Sequence, residues 1–445
     1  MRTLTFWSGI VCAFLCGLVD PAWGYAAVFV LSLVQIALLG SSGGSVFLLI
    51  HYATMLTYFS LAPAMQIAND VDFWETGVLT TASHTQALVL LLLYMAGVEA
   101  ARFGMADTPV HQPGLHHARA VGVAHPFLLL LSCSFAAFAT LFIRPDLARG
   151  MPGEDDSVPI DFIVFSTLPK LVVLMCFVAL TIHAFRRRTP WAWASAGLAL
   201  ALAAVAANPV NTARQILLIG LLPLFIHALS RLRHWRWALA GLIFGAIAAL
   251  GPVLNLFSRG SMWGEGLTTF PFSQDFDAMF VVGGILERAP IPDLGWGRYL
   301  LSAFSFFLPR DLKMFPDFDP LGWSAILCNF SQSNLSLPPF TTAYFDFGLM
   351  GPLLLGIAIS AVFRLIDRAI DPQRALSGRY LAALVLLSAC VPFMRGPILG
   401  WGPFAASGLI AAVIAGALSA RARRVIRVRR TRTLPPSARH DLPTP

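Results

Sequence analysis

The chain has 445 residues, of which 57% are hydrophobic and 12% charged, with a mean hydropathy of +0.71. That composition excludes a water-soluble globular protein and a disordered one, and it points to a polytopic membrane protein. The net charge of +8 averages over segments of opposite sign, so it says little until charges are assigned to loops.

Twelve apolar stretches follow one another along the chain, at about 4–20, 22–39, 45–68, 83–101, 121–143, 162–185, 190–207, 212–230, 236–255, 340–363, 379–394 and 398–420. Each approaches the ~20 residues a helix needs to cross the hydrocarbon layer. The fold class is therefore all-α, a polytopic integral membrane protein of about twelve transmembrane helices. The first stretch, with Arg2 at its start, has the outline of a signal peptide. The second run begins directly after Asp20-Pro21, which favours a helical hairpin instead.

Placing the N-terminus in the cytoplasm and alternating puts 21 of the 31 Lys and Arg on one side and 18 of the 23 Asp and Glu on the other. By the positive-inside rule the basic side is cytoplasmic. Both termini are then expected inside and the long polar stretch outside. The expected organisation is nine transmembrane helices over 1–255, a large extracytoplasmic loop with short helices over 256–339, three helices over 340–420, and a basic tail over 421–445. The tail reads as a disordered anchor on anionic lipid, and nothing in it builds a nucleic-acid-binding fold.

The loop 256–339 is the candidate site. It is the longest interval without a membrane-length apolar run, it is rich in Gly and Pro, and its aromatic residues (Trp263, Phe272, Phe276, Trp296, Phe304, Phe306, Phe307) argue against disorder. Of the six cysteines only Cys328 lies in it, so no disulfide closes within it. The chain has no CxxC or His/Cys ligand spacing, so no metal site is expected.

Arginine carries the chemical signal. Arg214 (in NPVNTARQ), Arg259 (FSRG), Arg310 (FFLPR) and Arg395 (FMRGP) all fall at or near the outer membrane edge, with Arg298 and Asn334 in the loop and Asn208 preceding Arg214. A charge at membrane depth is costly unless paired or functional. Guanidinium stays charged and donates in a planar fork that suits a diphosphate. The bland alternative is that each arginine snorkels to the interface or pairs with an outer carboxylate. Asp275 and Asp277 form a D-x-D, which in many nucleotide-sugar transferases holds a divalent metal. Asp317 and Asp319 repeat the pattern nearby, so a general base for a hydroxyl, an ion pair or a helix cap are the other readings. Asn69, Asp70, Asp72 and Glu75 read as a solvated outer loop. His51, His183 and His227, on apolar spans, read as packed or hydrogen-bonded helix residues. His111, His116 and His117 sit with Arg119 in a basic inner loop.

Taken in order, these stretches resemble the Wzy-type O-antigen polymerases, the oligosaccharide repeat unit polymerases. The resemblance rests on N-P-x-N-x-x-R from Asn208 to Arg214, DFD from Asp275 to Asp277, FFLPR ending at Arg310, FSQSNLSLPP at 330–339, YFDFGLMG at 344–351, and Arg395-Gly396. The front third matches only in being hydrophobic. Where the family has Gly-Glu ahead of the Tyr of YFDFG, this chain has Thr341 and Thr342. The family's Trp and Lys-Pro after Pro-Arg are replaced by DLKMFP.

The resemblance implies an architecture like that of C-type membrane glycosyltransferases and ligases, and a site facing the periplasm from the bacterial inner membrane. The implied reaction moves a glycan from undecaprenyl diphosphate to a hydroxyl of the next lipid-linked repeat unit. The implied partners are undecaprenyl-diphosphate-linked oligosaccharides as donor and acceptor, membrane lipids and a chain-length regulator protein, with no nucleic acid. No cofactor is implied, because arginines would neutralise the diphosphate. The alternatives are an O-antigen ligase, which uses the same donor, a metal-dependent prenyl-phosphate-sugar transferase, and a lipid-linked oligosaccharide flippase. A flippase would be expected to show two related halves and polar residues spread through mid-membrane helices.

Overall fold

The computed structural model describes residues 2–42, 44–71, 77–101, 126–143, 160–208, 212, 214–250, 271–272, 276–288, 294–305, 315, 336–370 and 376–432. Every regular element among them is a helix. In chain order they are α1 (Arg2–Val19), α2 (Pro21–Ser42), α3 (Val46–Ala68), α4 (Thr81–Ala100), α5 (Pro126–Phe138), α6 (Ile160–Arg187), α7 (Pro190–Ala206), α8 (Arg214–Leu229), α9 (Trp235–Gly245), α10 (Ala278–Arg288), α11 (Arg298–Phe304), α12 (Pro339–Phe347), α13 (Met350–Asp367), α14 (Gly378–Arg395) and α15 (Ile398–Arg432). Among the described residues, eight helices are long and apolar enough to cross a membrane, and α5, α7, α8 and α9 are shorter apolar helices. The chain is thus a multi-pass membrane protein. Large apolar side chains such as Trp23, Phe127, Phe135 and Trp191 stand on its outside, where lipid rather than water is the expected neighbour.

Local chemistry explains how the helices meet. The hairpin α1–α2 turns at Asp20, whose carboxylate accepts from Ala22 N at 2.8 Å, and Pro21 opens α2, where its missing N–H costs nothing. Helices α4 and α13 approach until Gly97 faces Leu353 O and Gly356 faces Tyr94 O; a Cβ at either glycine would strike the opposing backbone. Small residues allow this where no hydrophobic driving force exists between helices in lipid.

Two sets of contacts fix which helix ends lie together. His227 near the end of α8 bonds through Nδ1 to the Tyr380 hydroxyl at the start of α14, at 2.7 Å, and Arg231 Nη2 reaches its Nε2 at 3.2 Å. Guanidinium can only donate, so Nε2 accepts and the neutral ring donates from Nδ1 to Tyr380. Helices α8 and α14 are therefore antiparallel. Arg214, thirteen residues back along α8, and Arg395, fifteen residues on along α14, both lie about 20 Å away at the other end. Gly408 on α15 packs against Val385 of α14, Ile219 of α8 and Leu171 of α6, so four helices join at one point. The Tyr380 end is also tied elsewhere. Asp367 takes hydrogen bonds from the Ser45 hydroxyl and from Phe47 N at the start of α3. Arg2 bonds Gln35 at 2.9 Å and lies 3.8 Å from Glu99.

Two expectations are corrected. The apolar run 340–363 is not one span: α12 ends at Phe347, Gly348 takes φ +58°, and α13 starts at Met350. Just before the break, the Asp346 carboxylate accepts from Tyr299 N at 3.1 Å and Leu300 N at 2.9 Å, capping α11. Burial raises the Asp346 carboxyl above its ordinary range, against the pull of the backbone N–H groups of 297–300. Asp346→Ala is expected to cost about 1 kcal/mol, the usual worth of a lost cap, read as a lowered Tm of the detergent-solubilised protein. The second correction concerns the basic tail. Helix α15 runs on to Arg432, because arginine is a good helix former and the first proline after Pro403 is Pro435.

Candidate functional site

The site grows from an irregularity in α3. The stretch Thr57–Leu61 is a π-helical turn in which Ala62 N reaches back to Thr57 O. Pro63 follows, and its ring cannot donate to residue 59, which opens the ordinary ladder. The Ser60 hydroxyl takes up the carbonyls of Met55 and Leu56, each at 2.9 Å. Such turns recur at functional sites. Here the turn carries Tyr58.

The Tyr58 ring has a cation on it and an aromatic stack. Arg395 Cζ lies 5.4 Å from its centroid. Phe276 stacks with it at 5.2 Å and 28°. Phe276 immediately precedes Asp277, which is buried, at 1% exposure. The Asp277 carbonyl accepts from Val281 N at 2.8 Å, so Asp277 is the N-cap residue of α10, where the helix dipole favours a carboxylate. Phe276 and Arg395, 119 positions apart in sequence, are thus brought to one tyrosine. The start of α12 closes one flank. Leu337, Phe340, Thr341 and Thr342 are buried, and Phe340 packs on Phe59 at 6.0 Å and Tyr94 at 5.5 Å.

Gln66 holds the acidic segment in place, and sequence reasoning missed it. It is buried, and its Nε2 donates to Pro271 O at 2.7 Å and Phe276 O at 3.1 Å. One amide thereby ties Pro271 to Phe276. The signal available in the sequence was an amide side chain in the last turn of an apolar span. At its other end α10 is anchored by Glu287, which accepts from Thr80 N at 2.8 Å and from the hydroxyls of Thr80 and Ser83. Burial pushes the Glu287 carboxyl up, but these bonds and Arg288 outweigh it and leave it below its ordinary value. Gln66→Leu keeps the volume and deletes both bonds. It is expected to speed amide exchange at 276–281 roughly tenfold, with α3 unchanged, since each bond is worth about 1 kcal/mol.

The other expected residues divide. Arg214 opens α8 at the Arg395 end, and Asn208 is half-buried just after α7. A cation at a helix N-terminus opposes the dipole, so helix stability does not account for Arg214. Arg298 begins α11, exposed, with its guanidinium 5.7 Å from the Phe315 ring. It belongs to the corner that α11 makes with α12 and α15. Asp275, Arg259, Arg310 and Asn334 lie outside the described residues. His51 is buried among Phe47, Tyr52 and Tyr94, and His227 is hydrogen-bonded, as packed helix histidines. Among the described residues no group of three or more His, Cys, Asp or Glu is arranged to hold a metal.

The arrangement offers a cation held on an aromatic face, a buried aspartate next in sequence to one ring of that pair, and a second arginine at the same end of the bundle. Such a set can neutralise an anionic group and accept a proton from a hydroxyl. Comparison with protein-family models, curated proteins and solved structures finds no match.

Proposed function

We propose that the chain is a membrane glycosyltransferase that polymerises undecaprenyl-diphosphate-linked oligosaccharide repeat units, on a frame of twelve spans with the site facing the periplasm. The observation that carries the reading is the Arg395–Tyr58–Phe276 stack beside buried Asp277. In the proposed reaction the anomeric C–O bond to diphosphate breaks, and the leaving diphosphate takes the electron pair. A hydroxyl oxygen of the acceptor sugar forms the new glycosidic bond, and its proton passes to a carboxylate, Asp277 being the candidate. Charge rises on the leaving oxygen in the transition state, and a preorganised guanidinium in a water-poor site follows that charge. Arg395 and Arg214 take that role, joined by Arg259 and Arg310, with Asn208, Arg298 and Asn334 as glycan contacts.

The test is the surface-glycan ladder of a deletion strain. Core capped by single repeats is expected. Unsubstituted core with accumulated lipid-linked polymer would indicate a ligase, and an unchanged ladder would contradict both.

A further inference from the structure

Arg236 stands where helix packing calls for an apolar residue. The buried face of α9 consists of Trp235, Arg236, Leu239, Ala240 and Ile243, the spacing of one helical stripe, and α9 packs against α2, α3 and α8. Arg236 heads that stripe at 7% exposure. Its guanidinium lies against the Trp235 ring, with Cζ 4.8 Å from the centroid. Its Nε is buried and has no hydrogen-bond partner among the described residues, and no carboxylate among them forms an ion pair with it. A buried guanidinium without a counter-ion is costly, so this position calls for an anion.

The backbone calls for the same partner. His234 sits at the N-cap position of α9 and makes no side-chain cap. The first-turn N–H groups and the positive end of the helix dipole thus lack the usual side-chain acceptor. A cation in that turn opposes the dipole, so helix stability does not account for Arg236. A helical side chain leans toward its own N-terminus, which carries the guanidinium to the level of those N–H groups.

Two contacts fix where this helix start lies. Arg231, in the turn before α9, reaches His227, which bonds Tyr380. The Trp237 indole lies against Gly40 in the last turn of α2, where a Cβ would strike it. The start of α9 therefore belongs to the end of the bundle opposite Arg395, the end that the positive-inside rule expects at the cytoplasmic surface. Arg231 and Arg233 are exposed there. Trp237 is 47% exposed, as suits an indole at a bilayer interface.

We infer that Arg236 and the first turn of α9 form a phosphate-binding site, and that an anionic phospholipid headgroup supplies the phosphate. Phosphate accepts from a guanidinium and from helix N-terminal N–H groups together. The exposed arginines of the turn draw anionic lipid toward it. The site lies at the far end of the bundle from the proposed transfer chemistry and does not depend on the glycosyltransferase reading.

The experiment titrates the full-length protein in detergent with phosphatidylglycerol, phosphatidylcholine and inorganic phosphate, reading binding by native mass spectrometry and by Tm. One phosphatidylglycerol is expected to bind in preference to phosphatidylcholine. Arg236→Gln is expected to weaken it at least about tenfold, the loss of one charge-assisted hydrogen bond. Arg236→Lys should keep most of the binding, and Arg187→Gln, an exposed arginine in the last turn of α6 at the same end, should change it little. His234→Asp supplies a carboxylate cap from the chain itself, which favours the helix, and should displace the lipid; it serves where Arg236→Gln does not accumulate. Inorganic phosphate that raises the Tm of the wild type but not of Arg236→Gln, with no preference for phosphatidylglycerol, would support the phosphate site and overturn its assignment to lipid. Undiminished binding in Arg236→Gln and His234→Asp, or a wild type that responds to neither phosphatidylglycerol nor phosphate, would overturn the inference.

Discussion

Arg395→Ala is expected to abolish most polymer while leaving the protein in the membrane. Removing one preorganised donor to a developing anion commonly costs about 2.7–4 kcal/mol, or a 10²–10³-fold fall in turnover. The guanidinium's contact with the Tyr58 face is worth only about 0.5–2 kcal/mol, so loss of packing alone would leave turnover largely intact in a protein that still folds. Arg395→Lys should recover part of the activity, since it restores charge but not the planar fork. Arg214→Ala and Arg310→Ala are expected to behave similarly. Arg187→Ala, in the last turn of α6 at the opposite end, is the control and should do little. Membrane-fraction blots beside the glycan ladders separate lost chemistry from lost protein. Normal ladders from all three alanine variants at normal abundance would reduce these arginines to interface anchors.

Asp277 allows a sharper division. Asp277 occupies the N-cap position of α10, a position that asparagine fills about as well as aspartate. As a general base it has a chemical role that asparagine cannot fill. Asp277→Asn is therefore expected to lose turnover about 10²–10⁴-fold, the usual contribution of a positioned base, with normal thermal stability. Asp277→Ala should be as inactive and also less stable. Full activity in the asparagine variant beside a destabilised alanine variant would assign Asp277 to capping alone.

Much of the frame was legible in the sequence because apolar length reports directly on membrane helices. Apolar stretches end close to observed helix ends at Val19, Ala206 and Leu229, where Asp20, Asn208 and the Arg231 turn interrupt them. The break at Gly348 was hidden, since residues 340–363 are continuously apolar apart from Thr341, Thr342, Asp346 and Ser360. The split falls at Gly348, which takes a positive φ, two residues after Asp346 caps a helix more than forty residues earlier. Arg395 and Asp277 could each be marked from sequence, one as a charge at a span end and the other as half of a D-x-D. That Arg395 and Phe276, the neighbour of Asp277, meet at Tyr58 depends on the packing of α3 against α14 and on a π-helical turn, neither of which has a local signature. Gln66 acts through its amide on the backbone of a distant loop, and backbone partners leave no mark in side-chain patterns.

The most direct test of the central claim is reconstitution. The purified protein, alone in liposomes, would be given an undecaprenyl-diphosphate-linked repeat unit, and the products resolved by gel and mass spectrometry. A ladder rising by one repeat at a time is expected, with one undecaprenyl diphosphate released for each bond formed. Substrate left at a single repeat, in a preparation that moves it across the bilayer, would contradict the account and identify a transporter.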